Sequence, residues 1–189
     1  MKRTTVRTRV LTAAAAVAVA AVGTGGFGAM SATAAPQSDA PGGAVAQAAD
    51  LKKSDTVTST HLDIDAATRA AQAALHAAEK DNQHVSVAVV DRNGTTVATL
   101  RGDGAGPQSY ESAARKAFTA VSWNAPTSEL VKRLAQAPGL KDIPGTLFLA
   151  GGAPVADKGA PIAGIGVAGA PSGDLDEKYA QAGVASLGR

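Results

Sequence analysis

Two strand patterns face each other across a tight turn between His84 and Arg101, and this hairpin narrows the folds open to the chain. Residues 84–91 are rich in valine, Asn93-Gly94 is a strong turn pair, and residues 95–101 form the return strand. A turn this short joins antiparallel neighbours, so the sheet that holds this hairpin is expected to be mainly antiparallel.

Helical patterns flank the hairpin. Asp63 can cap a helix in which Ile64, Ala67, Ala71, Leu75 and Ala78 form one stripe, with Asp65 suited to the first turn. After a loop at 102–107, the pattern predicts a second helix over 109–123 and a third over 126–137, ended by Pro138-Gly139. A strand at 146–150 is predicted to run into Gly151-Gly152-Ala153-Pro154. Another follows over 161–169, after a turn at 157–159. Ser172 opens a last helix to Leu187, with Asp174, Asp176 and Glu177 where acids suit the helix dipole. This order predicts an α+β fold, with a mainly antiparallel sheet of four to five strands flanked by helices. Hydrophobic residues are 45% of the chain but aromatics only 3%, so alanine, glycine and valine must fill the core and the elements must approach closely.

The N-terminus reads differently. Lys2, Arg3, Arg7 and Arg9 precede an apolar run over 10–22, and Ala32-Thr33-Ala34 has the small-x-small pattern of a cleavage site. Residues 1–34 are therefore expected to be a signal peptide and the protein to be secreted. The run is short of the roughly 20 residues that a membrane-spanning helix needs. Residues 35–60, rich in Ala, Pro, Gly, Ser and Asp, read as a flexible leader, and residues 61–189 as the folded domain. Without the four N-terminal basic residues, 14 basic residues remain against 16 acidic ones, a net charge of −2. Such a domain has no strong attraction for a phosphate backbone, and no nucleic-acid partner is expected. The absence of cysteine excludes disulfides, thiolate metal sites and cysteine nucleophiles.

Other motifs point to no familiar catalytic arrangement. Gly164-Ile165-Gly166-Val167-Ala168-Gly169 matches a dinucleotide fingerprint by letter but lies in a late strand, where glycines instead permit close backbone contact with helices. No nucleophile-elbow sequence accompanies the serines.

Several stretches taken together resemble one family, the GlcG/HbpS-type proteins. They are Val87 through Gly94, Lys116-Ala117-Phe118-Thr119-Ala120, Pro126-Thr127-Ser128 with Leu130, and Pro138-Gly139-Leu140. Gly151-Gly152-Ala153-Pro154, Gly164 through Ala170, and Asp176-Glu177 with Ala182-Gly183 complete the pattern. The resemblance spans roughly residues 62–187. It implies a profilin-like fold, haem or its iron as ligand, a homo-oligomer (often an octamer), and cooperation with a membrane sensor kinase in redox signalling. It also leaves room for a haem-degrading or corrinoid-related accessory enzyme, and the alanine-rich helices for a structural oligomeric module.

Haem iron takes His, Met, Cys or Tyr as its usual axial donor. With no cysteine and both methionines (Met1 and Met30) in the predicted signal peptide, the donors narrow to His61, His76, His84, Tyr110 and Tyr179. His76 sits beside the buried stripe and reads as a surface or half-buried residue, whereas His61 stands where leader meets domain. The resemblance matches Thr119 to a threonine associated with haem iron, although a mid-helix threonine commonly bonds back to a carbonyl one turn earlier. Lys116 and Arg115 are candidates for haem propionates, or for a solvated charge pair. Asp174 and Glu177, one helical turn apart, offer hard oxygen donors for iron or another cation, or acids that merely suit a helix start.

Overall fold

The computed structural model describes residues 50–188, so the expected signal peptide and most of the leader lie outside the described residues. Residues 50–60 are exposed throughout and contain one short 3-10 turn, Lys53–Asp55. Among the described residues, no helix is long and apolar enough to cross a membrane.

The domain is an α+β fold of four helices and one antiparallel sheet. The elements are α1 (Ile64–Lys80), β1 (Ser86–Asp91), β2 (Thr96–Arg101), α2 (Pro107–Trp123), α3 (Thr127–Arg133), β3 (Gly152–Asp157), β4 (Ala160–Ala168) and α4 (Gly173–Ala185). The four strands lie in the order β2-β1-β4-β3. The expected hairpin forms, with Ser86 opposite Arg101 and Val87 opposite Leu100. Asp91 holds its turn by accepting the N–H groups of Asn93 and Thr95 at 2.9 Å, and Gly94 takes the positive φ of +85° that the turn demands.

One sheet face is covered by α1 and α4. Ala67, Ala70, Ala71, Ala74 and Ala78 are buried against Val85, Val87, Val89 and the α4 residues Tyr179 and Ala180. The buried stripe is wider than the expected one because α1 meets both sheet and helix, while Ile64 stays 56% exposed in the first turn. Asp63 caps α1, accepting from the Ala66 N–H at 2.7 Å. At its other end, the Tyr179 hydroxyl donates to Asp81 at 3.0 Å; burial, with the neighbouring Asp81 carboxylate, pushes that hydroxyl up to about 12.

Helix α2 covers the opposite face. Ala113, Ala117 and Val121 pack on Ala88 and Val90 of β1. Over β4 the approach is closer still. A methyl group at Gly164 or Gly166 would collide with the carbonyl oxygen of Ala117 or Ala113, so the helix backbone rests on a strip of sheet without side chains. The late glycines thus act as packing residues, as expected.

Two expectations need correction. Residues 146–150 are not a strand, and β3 begins only at Gly152. The backbone there is diverted: Leu147 N–H donates to the Thr119 hydroxyl at 2.8 Å, and Leu149 N–H turns back to the Leu147 carbonyl at 3.0 Å. Helix α3 stops at Arg133, and the residues beyond it tighten into i to i−3 bonds such as Leu134 N–H to Val131.

Substituting Gly166 by alanine is expected to destabilise the domain by about 1–3 kcal/mol in urea unfolding, because helix or strand must shift. Gly139→Ala, whose methyl meets nothing within 4 Å, should change stability by less than about 1 kcal/mol.

Candidate functional site

The starts of α3 and α4 converge on Gly151-Gly152 at the head of β3, and a buried polar network joins them. Lys116, in the middle of α2, is 5% exposed. Its Nζ donates to Asp176 Oδ2 at 2.7 Å and to the Val167 carbonyl at 3.1 Å. The other carboxylate oxygen of Asp176 accepts the Ala170 N–H at 3.0 Å. Burial pushes the Asp176 carboxyl above its ordinary value; the Lys116 ammonium and the backbone N–H donors oppose that rise.

Glu177, the next residue on α4, faces α3. Its carboxylate accepts the Ser128 hydroxyl at 2.6 Å and the Ser128 N–H at 2.9 Å. Helix α3 has no side-chain cap of its own, so Glu177 satisfies its first turn from a neighbouring helix. The Thr127 hydroxyl accepts the Gly152 N–H at 2.8 Å and ties the same turn to β3. At Gly151, with φ +130°, a methyl group would fall 2.7 Å from both Lys116 Nζ and the Val167 carbonyl. Only glycine lets the chain pass so close to the ion pair.

Beside this network opens a cleft of about 680 Å³. Lys116 and Asp176 line it, Val131, Leu149 and Pro171 give it apolar surface, and the exposed Lys132 and Asp174 add charges of opposite sign. Clefts that hold small molecules commonly measure about 300–1,000 Å³ and share this mixture of apolar surface and few polar groups.

The structure brings two of the sequence-predicted site residues, Lys116 and Asp174, into the cleft lining and places the others elsewhere. Thr119 is buried; its hydroxyl donates to the Arg115 carbonyl at 2.8 Å, the back-bond typical of a helical threonine, and accepts from Leu147. His61 is exposed, with Nε2 2.7 Å from the Ser59 hydroxyl and Nδ1 3.7 Å from Asp91. His76 is exposed on α1, and His84 Nδ1 lies 2.7 Å from the Asp103 carbonyl. Glu177 is buried with its carboxylate engaged by Ser128, while Asp174 is open to solvent. No cluster of three or more His, Cys, Asp or Glu side chains suited to a metal ion occurs among the described residues.

Lys116 is also not the solvated charge that its residue type suggested. Its partner Asp176, and the roles of Ser128 and Thr127, were not foreseen from the sequence. One signal was present: Lys116 falls among Ala113, Ala117 and Ala120, on the buried side of α2. A lysine set into an apolar stripe marks a charge that must find a buried partner.

A family model described as haem-degrading protein HbpS-like matches residues 62–185. The chain belongs to the HbpS-like family. It is 74% identical to a double mutant of HbpS from Streptomyces reticuli, covering 76% of this chain and 99% of that one, with a TM-score of 0.75. A second HbpS crystal structure is 76% identical over 75% of this chain and all of that one, at a TM-score of 0.74. The PduOC–haem complex is 29% identical, covering 67% of this chain and 95% of that one, with a TM-score of 0.62. A search of the curated proteins returns no match.

In this HbpS-like chain, Lys116→Met or Asp176→Leu alone should cost about 3–5 kcal/mol, because each strands a buried charge. The double substitution should cost clearly less than the sum of the two. Urea unfolding of all four forms measures the coupling, and additive losses would show that the pair does not interact.

Proposed function

We propose that this protein is a secreted haem-binding protein that holds haem, and with it iron, in the cleft between α3 and the start of α4. The observation that carries this reading is the cleft itself: about 680 Å³, apolar on Val131, Leu149 and Pro171, with Lys132 exposed at its edge and Lys116 paired to Asp176 beneath it. A porphyrin needs such a lining, with apolar walls for the ring and cations for the propionates. Lys116 Nζ spends two of its three N–H groups on Asp176 and Val167, which leaves one for a ligand carboxylate. The family description and the haem complex of a relative point the same way.

The apolar wall and the lysines of the cleft suit the porphyrin ring and its propionates, but the donor set does not fit the iron. No histidine, methionine, cysteine or tyrosine lines it, so the reading assigns the cleft the porphyrin and its propionates and derives no bond to the iron. When bound, haem supplies the redox-active iron, while the chain supplies position and charge. Limiting oxidative damage, assembly as a homo-oligomer of up to eight copies, and reporting to a membrane sensor kinase extend this reading along the lines of the resemblance. Secretion rests on the basic, apolar and small-x-small order of residues 1–34.

Haem degradation is the second reading, favoured by the family description. Titration of ferric haem into the full chain should produce a Soret band distinct from that of free haem, saturating at a defined stoichiometry. A spectrum identical to that of free haem would overturn the proposal. Added peroxide should leave the bound band largely intact if the protein sequesters haem; rapid bleaching with iron release would favour the degrading reading. Thr119→Ala and His76→Ala should keep the band, and Lys132→Glu should weaken binding several-fold.

A further inference from the structure

Residues 126–150 carry α3 and the 3-10 turn Pro138–Asp142, and side chains alone bond them to the rest of the domain. Among the described residues, every backbone–backbone hydrogen bond of this segment closes within it, such as Leu130 N–H to Pro126 and Ala137 N–H to Arg133. Its apolar side chains form a cluster of their own, in which Leu130, Phe148, Leu134 and Leu140 gather on Trp123 at the end of α2. The chain enters the segment at Asn124, with φ +48°, and leaves it at Gly151, with φ +130°. Both points are anchored: Asn124 Nδ2 donates to the Gly159 carbonyl at 3.2 Å, and the Gly151 carbonyl accepts the Val167 N–H at 2.8 Å. The bonds that cross the border are those of Glu177 with Ser128, Gly152 N–H with the Thr127 hydroxyl, Leu147 N–H with the Thr119 hydroxyl, and the Arg115 guanidinium with the Thr146 carbonyl.

We infer that residues 126–150 form a flap that swings on Asn124 and Gly151 and sets the width of the cleft, with the Glu177 carboxylate as its latch. One wall of the cleft, with Ser128, Val131, Lys132 and Leu149, belongs to the flap, and the facing wall over 170–176 belongs to α4 and the turn before it. The flap can part from the sheet without breaking a rung of the β-ladder, and its own cluster lets it move as a unit. A few residues at the ends of such a segment absorb the change in φ and ψ. The latch is the strongest of the border bonds, because a carboxylate accepts both the hydroxyl and the N–H of Ser128, at 2.6 and 2.9 Å. The swing serves any ligand of the cleft, so the inference does not rest on that ligand being haem.

Native-state hydrogen exchange of the ligand-free full chain tests this residue by residue. The amides of Ser128, Leu147 and Gly152 bond to side chains across the border, so one swing frees all three. They should show a common protection, within about threefold, that is weaker than that of Val89 in β1 and depends less steeply on urea. Leu130 and Ala137, bonded inside the flap, should stay better protected than these three. Ser128→Ala removes a hydroxyl bond to a charged acceptor, and exchange at residues 128, 147 and 152 should quicken together, roughly tenfold. Nitroxides on Lys132→Cys and Asp174→Cys, in a chain with no other cysteine, should gain a longer-distance population when Ser128→Ala is added. Unrelated protection at the three amides, or exchange only through global unfolding with the full urea dependence, would overturn the flap, and so would nitroxide distances unchanged by Ser128→Ala. The exchange pattern of the unsubstituted chain decides the matter even if a variant fails to fold, and a failed haem titration leaves it untouched.

Discussion

The structure depends on the contact between the backbone of α2 and the glycine face of β4. Gly164 and Gly166 present no side chain there, and the carbonyls of Ala113 and Ala117 occupy the space that side chains would take. An aromatic-poor chain cannot hold its layers together with large side chains, so it brings backbones close and lets many small contacts add up. Gly183 has a similar role on the other face, where a methyl group would lie 2.8 Å from the Ala70 carbonyl of α1. Close layers also fix helix positions tightly, since small side chains leave little room to slide.

That closeness creates the candidate site. With α2 so near the sheet, Lys116 cannot reach solvent by the usual route, and its ammonium must be satisfied inside the fold. Asp176 and the Val167 carbonyl do this, and the Lys116–Asp176 bond binds the first turn of α4 to the middle of α2. Glu177, one residue further along, reaches the start of α3. Two adjacent carboxylates on one short stretch of α4 therefore hold two different helices, and the cleft is the gap left where these three elements and the Gly151 turn cannot fill space together.

Most of the architecture was legible in the residues. The valine-rich strand with Asn93-Gly94, the Asp63 and Ser172 caps, and the glycine pattern of β4 all rest on local rules of turn, cap and packing chemistry, and each recurs in the structure. The stretch over 146–150 misled because its residues suit a strand, but a side chain distant in sequence, the Thr119 hydroxyl, takes one of its backbone donors. Tertiary competition of this kind leaves no local trace. The same holds for the site. Lys116 and Asp174 stand out by residue type, but the pairing of Lys116 with Asp176 spans 60 positions and depends on how deeply α2 is set into the sheet.

The central claim is that a haem lodges in the gap between α3 and the start of α4, and locating the iron tests it most directly. Anomalous diffraction at the iron edge, from crystals grown with ferric haem, should give one strong peak per chain within the cleft, near Asp174 and the Lys116–Asp176 pair. A peak at Thr119, at His61 or His76, or only on a surface remote from the cleft would contradict the account.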